Sequence, residues 1–453
     1  MSKAKSVYVC RNCGADSPKW IGRCPSCHEW NSYVEEVIAR PTKSSEVLFP
    51  GREPSRPALI SEIIPDPEKR MATGIGELDR LLGGGIVRGS VILLGGEPGI
   101  GKSTLALQLA MKLSGKTVLY VSGEESEQQI KMRAERLSGS NNLCYVLSET
   151  DLGNILTHAT QINPAMIVID SVQTITTAML ESPAGSVSQV RECSAMLLRY
   201  AKTTGIPVII IGHITKDGTL AGPKVLEHIV DVVLLFEGDN NYIYRLLRPS
   251  KNRFGSTSEL GIFEMLETGL REVTNPSELF INRHDDMLSG VAIAATIDGI
   301  RPFMIETQAL VSSAVYGTPQ RSSTGFDGRR LNMLLAVLEK RAGFKLGTRD
   351  VFLNIAGGIK VNDPAIDLAV VTSVLSSNLD IAVPPQICFA GEVGLSGEIR
   401  PVPRISQRIK EAAKLGFEKM VISKYHKDSD FPKNGPELIR AGKIETLVRS
   451  IFA

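Results

Sequence analysis

Residues 96–103 read Gly-Glu-Pro-Gly-Ile-Gly-Lys-Ser, the GxxxxGK[ST] spacing of a phosphate-binding loop. Glycines at 96, 99 and 101 let backbone N–H groups wrap phosphate oxygens. Lys102 is placed to reach the β- and γ-phosphates of ATP, and Ser103 to ligate Mg²⁺. Glu97, Pro98 and Ile100 fill the loop. Thr104 continues into a helix whose positive N-terminal end adds to the anion site.

Hydrolysis needs more than a cradle. Asp170 ends the apolar run "MIVID" and suits a second magnesium-side carboxylate. Glu124 and Glu125 follow "VLYVSG", where a carboxylate polarises the attacking water; Glu124 is the first choice and Glu125 the alternative. His213 and Lys216 follow "PVIIIG". A polar residue at that strand tip would sense the γ-phosphate; the plain alternative for His213 is an exposed loop histidine.

A second chemistry sits at the N-terminus. Cys10 and Cys13, then Cys24 and Cys27, form two CxxC knuckles, the donor set of a closed tetrahedral Zn²⁺ site. A segment this short has no core, so metal binding would supply its folding energy. A redox dithiol is the alternative, and His28 is a competing ligand. A closed site of this kind is structural. Cys144, Cys193 and Cys388 stand in apolar context and read as buried, inert thiols.

The chain has 453 residues, enough for about two to three domains. Hydrophobic residues make up 43% and charged residues 22%, which excludes a disordered or fibrous class. A net charge of +2 excludes a global basic field, so any DNA site must be a local patch. No apolar run approaches the roughly 18 residues of a membrane span, and the N-terminus lacks the apolar core of a signal peptide. A cytoplasmic protein without a membrane partner is the expectation.

These residues need elements to hold them. "SVILLGGEPGIGKSTLALQLAMKL" reads as strand, loop and amphipathic helix, and "TVLYVSGEES", "AMIVIDSV" and "PVIIIGHIT" as further buried strands. Such runs alternating with helices predict a doubly wound parallel α/β sheet. "VDVVLLFEG" and "YIYRLLRPS" lie close enough to pair as an antiparallel hairpin. The expected fold class is α/β: a four-cysteine zinc finger at 1–35, a proline-rich linker at 36–70, a doubly wound ATPase domain at 71–273 and an α+β domain at 274–453. Within "LLRPSKNRFGSTSELG", Arg248, Lys251 and Arg253 precede Gly255; alone, this reads as a solvated basic turn.

"TGIGELDRLLGGGIVRGSVILLGGEPGIGKST" resembles the RecA-like ATPases, a superfamily of hexameric motors and filament formers. The four-cysteine finger, this core and "KNRFG" at 251–255 together resemble a bacterial DNA repair family across essentially the whole chain. That resemblance implies a DNA-stimulated ATPase, a helicase-type motor acting on single-stranded and branched DNA in recombination and branch migration. It implies a homo-hexamer and a recombinase partner of RecA type. It also implies that Lys251 and Arg253 reach the γ-phosphate held by the neighbouring subunit, with Gly255 allowing the turn.

The stretches "NIAGGIKVNDPAIDLAVVTSVLSS" and "AGEVGLSGEIRPVPRISQRIKEAAKLGF" resemble the proteolytic domain of Lon. Ala365 falls where that family has its nucleophilic serine, and Ser406 near its lysine. A Ser–Lys pair needs a hydroxyl and an amine, so the resemblance implies the fold without the peptidase chemistry. Asp363 and Asp367 offer no substitute. The rivals are thus a Lon-type protease, opposed by Ala365, and a regulatory ATP switch resembling clock-type RecA-like proteins. DNA would meet either the basic stretch Arg321, Arg329, Arg330, Lys340, Arg341, Lys345 and Arg349, with Phe326 and Phe344, or the loop after Asp170.

Overall fold

An apolar strand with no polar alternation must be covered on both faces, and the central runs of this chain are. The computed structural model describes residues 5–10, 15–38, 59, 70–137, 139–213, 225–237, 244–281, 287–314, 318–427, 429, 431–432 and 434–452. Cys13, Lys216 and most of the linker lie outside them. The chain divides into two compact units, Met1–Val273 and Thr274–Ala453. Among the described residues no helix is long and apolar enough to cross a membrane.

At the N-terminus β1 (Lys5–Cys10), β2 (Asp16–Ser17) and β3 (Tyr33–Ile38) form an antiparallel sheet in the order β2-β1-β3. Among the described residues its buried cluster is Cys10, Cys24 and Tyr33, with Tyr8, Ala15, Ile21 and Cys27 packed against it, little apolar area to hold a sheet unaided.

The nucleotide-binding region runs α1 (Gly76–Leu81), β4 (Val91–Gly96), α2 (Lys102–Lys112), β5 (Val118–Ser122), α3 (Glu127–Arg136), β6 (Cys144–Ser148), α4 (Leu152–Ile162) and β7 (Met166–Asp170). Next come α5 (Val187–Thr204), β8 (Val208–His213), α6 (Val225–Ile229), β9 (Val232–Glu237), β10 (Tyr244–Asn252), β11 (Gly261–Leu266) and β12 (Gly269–Glu272). The sheet order is β12-β11-β10-β9-β4-β8-β7-β5-β6. Strands β9 to β6 in that order are parallel, and β10 to β12 antiparallel. Along β4, Ile92 and Leu94 join a core with α2 and α3, while Val91 and Leu93 join another with α4 and α5. Burying one such side chain is worth about 1.5–3 kcal/mol, so two cores fix the sheet plane on which every strand tip depends.

β9 and β10 pair as the hairpin the sequence predicts. The basic segment differs in detail. β10 continues through Asn252, with its register shifting between Pro249 and Lys251, so Lys251 is a strand residue. Lys251 Nζ donates to the carbonyls of Glu227 at 2.6 Å and Val230 at 2.8 Å, closing the C-terminal end of α6. Arg253 Nη1 lies 3.3 Å from Asp231, which also holds Lys202 Nζ at 2.7 Å and accepts from Val91 N–H at 3.1 Å. Gly255 is required by close approach: a Cβ there would stand 2.9 Å from Asn252 Nδ2 and 3.2 Å from Gly83 Cα.

The second unit holds α7 (Pro276–Phe280), β13 (Val291–Asp298), β14 (Arg301–Ser313), β15 (Arg321–Thr324), α8 (Gly328–Ala342), β16 (Arg349–Ile355) and α9 (Asp367–Leu379). It continues with β17 (Ile387–Ala390), β18 (Glu392–Val393), β19 (Ile399–Arg400), α10 (Ile405–Lys414), β20 (Lys419–Ser423), β21 (Glu437–Ala441) and α11 (Ile444–Phe452). A mixed sheet of order β15-β16-β14-β13-β17-β20-β21 carries α9 against β13 and β14. Two buried ion pairs pin the turn before α9. Arg408, 1% exposed, donates to Asp363 Oδ2 at 2.6 Å and to the Ala295 carbonyl at 2.7 Å. Arg330 grips the buried Asp367 with the Nε–Nη2 edge of its guanidinium, one donor to each carboxylate oxygen. Burial pushes the Asp367 carboxyl up, and Arg330 opposes that shift. Arg330 is therefore withdrawn from the basic surface expected for DNA, which keeps Arg321, Arg329, Lys340, Arg341 and Lys345 exposed.

Replacing Arg408 by Met strands Asp363 in a dry site. This should cost about 3–5 kcal/mol, read as faster hydrogen exchange of β13 and α10 amides.

Candidate functional site

The tip of β4 and the start of α2 form the phosphate loop. Gly101 stands before α2 at φ 114°, a left-handed conformation that favours glycine. Glu97, Pro98 and Gly99 are exposed, while Ile100 is buried. The guanidinium of buried Arg245, on β10, donates to the Ile100 carbonyl at 3.2 Å and steadies the loop from below. Thr104 lies in the first turn of α2, whose leading N–H groups have no intrahelical acceptor.

Lys102 folds over the loop and donates to the carbonyls of Gly96 at 2.9 Å and Glu97 at 2.8 Å. Burial lowers its ammonium to about 8, against the pull of Asp170, Glu124 and Glu97. Ser103 Oγ donates to Asp170 Oδ1 at 3.1 Å. A hydroxyl and a carboxylate side by side beyond a phosphate loop are the hard oxygen donors that fit Mg²⁺.

The register explains why these groups meet. Ser122 pairs with Asp170 across β5 and β7, and Gly96 with His213 across β4 and β8. His213 thus stands at the strand position beside the phosphate loop. The two glutamates separate clearly. Glu124 Oε1 accepts from Ser171 Oγ at 2.7 Å, next to Asp170. Glu125 is drawn to Arg133 at 2.8 Å. Sequence reading did not find Tyr120, Arg133, Ser171 or Arg245. The one available signal was a tyrosine inside the apolar strand "VLYVS".

Lys251 and Arg253 do not join this cluster within the chain. Lys251 pairs with Val233, which pairs with Leu93, about 10 Å along the strand from Gly96 and away from the loop, toward the amino end of β4. In the loop after β7, Gln189 fastens the backbone, donating to the carbonyls of Leu180 and Ser182 at 3.0 Å.

At the N-terminus the sulfurs of Cys10, Cys24 and Cys27 lie within 4.8 Å of one another. The Cys10–Cys27 separation of 3.6 Å is close to the roughly 3.8 Å edge of a zinc–thiolate tetrahedron with 2.3 Å bonds. Tyr33 Oη donates to Cys24 Sγ at 3.6 Å, the outer support expected around a metal thiolate. His28 is exposed and outside the cluster. Cys193 and Cys388 are buried, and burial raises both thiols, Cys193 to about 12. Cys144 is only half-buried, yet burial still raises it to about 11. In the second unit Ala365 is fully buried, and Ser406 is half-buried on α10.

Family models match three stretches: an AAA domain over residues 60–219, a rubredoxin metal binding domain over 8–35, and subunit ChlI of Mg-chelatase, a Lon-like domain, over 308–426. The chain is 49% identical to DNA repair protein RadA of Bacillus subtilis (strain 168), covering 99% of both chains. It is 48% identical to that of Streptococcus pyogenes serotype M6 over the full length of both. The RadA of Listeria monocytogenes is 50% identical over 94% of this chain and 93% of its own. A solved KaiC-like protein from Pyrococcus horikoshii OT3 covers 46% of this chain and 100% of its own, at 23% identity and a TM-score of 0.39, too slight a likeness to argue from.

Two outcomes are expected. In the free protein Lys102 is charged below about pH 8 and neutral above it. Phosphate restores the charge, so ATP affinity should fall as pH rises through that value, with proton uptake visible by calorimetry in buffers of different ionisation enthalpy. Cys24→Ser should release the metal and unfold residues 5–38, seen as lost zinc content and lost amide protection, with ATP binding retained.

Proposed function

The chain belongs to the DNA repair protein RadA family, and from that premise we propose a DNA-stimulated ATPase that works as a ring motor on single-stranded and branched DNA. It extends heteroduplex by branch migration during homologous recombination and break repair. The working unit is a homo-hexamer with a recombinase partner of RecA type, and its place is the cytoplasm, beside the chromosome. Four segments divide the labour: the zinc finger at 1–35, the linker at 36–70, the RecA-like ATPase at 71–273 and the inactive Lon-like domain at 274–453.

On ATP binding, Lys102 exchanges the Gly96 and Glu97 carbonyls for phosphate oxygens, while residues 96–104 cradle the phosphates with backbone N–H groups. Ser103 and Asp170 hold the Mg²⁺ side of the site. Bound Mg²⁺ supplies neutralisation of charge on the phosphate oxygens. Glu124, steadied by Ser171, orients the attacking water; the capture of Glu125 by Arg133 favours this choice. His213, beside Gly96, senses the γ-phosphate.

The observation that carries the reading is the position of Lys251 and Arg253 toward the amino end of β4, about 10 Å or more along the strands from their own phosphate loop. Cations there serve a nucleotide only when it belongs to a neighbouring subunit. Such a finger is worth about 10³–10⁵ in rate in well-studied cases. The exposed Arg321, Arg329, Lys340, Arg341 and Lys345, together with the loop after Asp170, form the DNA-contacting surfaces. Ala365 leaves the Lon-like domain without a nucleophile, which makes that domain an assembly and DNA platform.

The test is ATP hydrolysis by the zinc-loaded protein with and without single-stranded DNA, with Lys102→Ala as blank. Clear stimulation is expected. No stimulation despite intact nucleotide binding overturns the motor in favour of a regulatory ATP switch. Lys251→Ala should bind nucleotide near-normally but lose about a thousandfold in turnover; unchanged turnover contradicts the finger.

A further inference from the structure

Asp170 has two carboxylate oxygens, and the structure treats them differently. Oδ1 faces Ser103 Oγ at 3.1 Å. Oδ2 accepts from Tyr120 Oη at 2.6 Å. The same phenol oxygen accepts from Arg133 Nη2 at 3.1 Å, and Arg133 Nη1 reaches Glu125 at 2.8 Å. Arginine has donors and no acceptor, so the tyrosine must accept from Arg133 and turn its single proton toward Asp170. The direction of the chain is thereby fixed: Arg133 to Tyr120 to Asp170.

We propose that Tyr120 and Arg133 are positioning residues that fix the Asp170 carboxylate, capping Oδ2 so that Oδ1 alone is presented beside Ser103 to the divalent cation. The inference rests on the assignment of Asp170 to the cation made above. Neither residue touches nucleotide or metal; each acts through the carboxylate. With the phenol gone, Arg133, already 3.8 Å from Oδ2, can pair with the carboxylate directly and draw it away from Ser103. Arg133 stands on α3, so this arm also ties that helix, and the Glu125 beside the water-orienting Glu124, to the metal side of the site.

Tyr120→Phe is the test because it removes one oxygen and keeps the ring that packs in the core. The probe is Mn²⁺, titrated into the ADP complex and followed by loss of the free-ion EPR signal. ADP binding in EDTA is measured alongside, and Asp170→Asn serves as reference. The expected result is Mn²⁺ affinity about tenfold weaker in Tyr120→Phe, as for loss of one hydrogen bond to a charged group, with ADP binding in EDTA unchanged. Arg133→Ala should show part of the same loss and Arg133→Lys should recover it. Wild-type Mn²⁺ affinity in Tyr120→Phe, with Asp170→Asn weakened, overturns the positioning role alone. Unchanged affinity in Asp170→Asn overturns the assignment beneath it. An equal fall in metal-free ADP binding would mean that Tyr120 serves only the fold, which also overturns the proposal.

Discussion

In a parallel sheet every strand delivers its carboxyl end to the same side, and here that side gathers Gly96 beside His213 and Ser122 beside Asp170, the second pair two residues lower along the strands. Phosphate loop, Asp170 and Glu124 meet because β4, β5, β7 and β8 point one way. The antiparallel β10 points the other way and returns its terminal cations to the opposite side. On the reading proposed above, one polarity places half of a catalytic site at one end of the strands and its complement at the other, to be joined between neighbouring copies.

Each half is held by polar bonds that would be costly to leave unmade in a buried setting. Asp231, 1% exposed, gathers Lys202, Arg253 and the Val91 N–H, and so ties the basic segment to the start of the strand that carries the phosphate loop. At the far end Asp170 gathers Ser103 and Tyr120. The strand joining these two ends is buried throughout. A change at one end of the strand thus has a stiff element by which to reach the other, as the proposed coupling between neighbouring subunits requires.

Much of this was legible in the sequence, for identifiable reasons. The phosphate loop, the CxxC knuckles and the apolar runs of β4, β5, β7, β8 and β9 are local signals. β6 was missed because its residues are only partly buried, and β11 and β12 because their runs are short and are interrupted by Glu264 and by Arg271 and Glu272. Pairings between distant residues had no local trace. Nothing in "VLYVS" says that its tyrosine meets Asp170. Nothing in the basic stretch says that Arg330 turns inward to Asp367 while Arg329 stays out. Gly255 was read as a turn glycine, although it serves a close approach to Gly83.

The central claim, that one site is built from two subunits, is tested most directly by mixing two inactive variants. Lys102→Ala protein lacks the phosphate-loop cation and Lys251→Ala protein lacks the finger. Reassembled together, some interfaces join a sound phosphate loop to a sound finger. Hydrolysis should therefore reappear in the mixture, toward a quarter of the wild-type rate for random assembly at equal amounts. If Lys251 served its own chain's nucleotide, every subunit in the mixture would remain defective and no activity would return at any ratio.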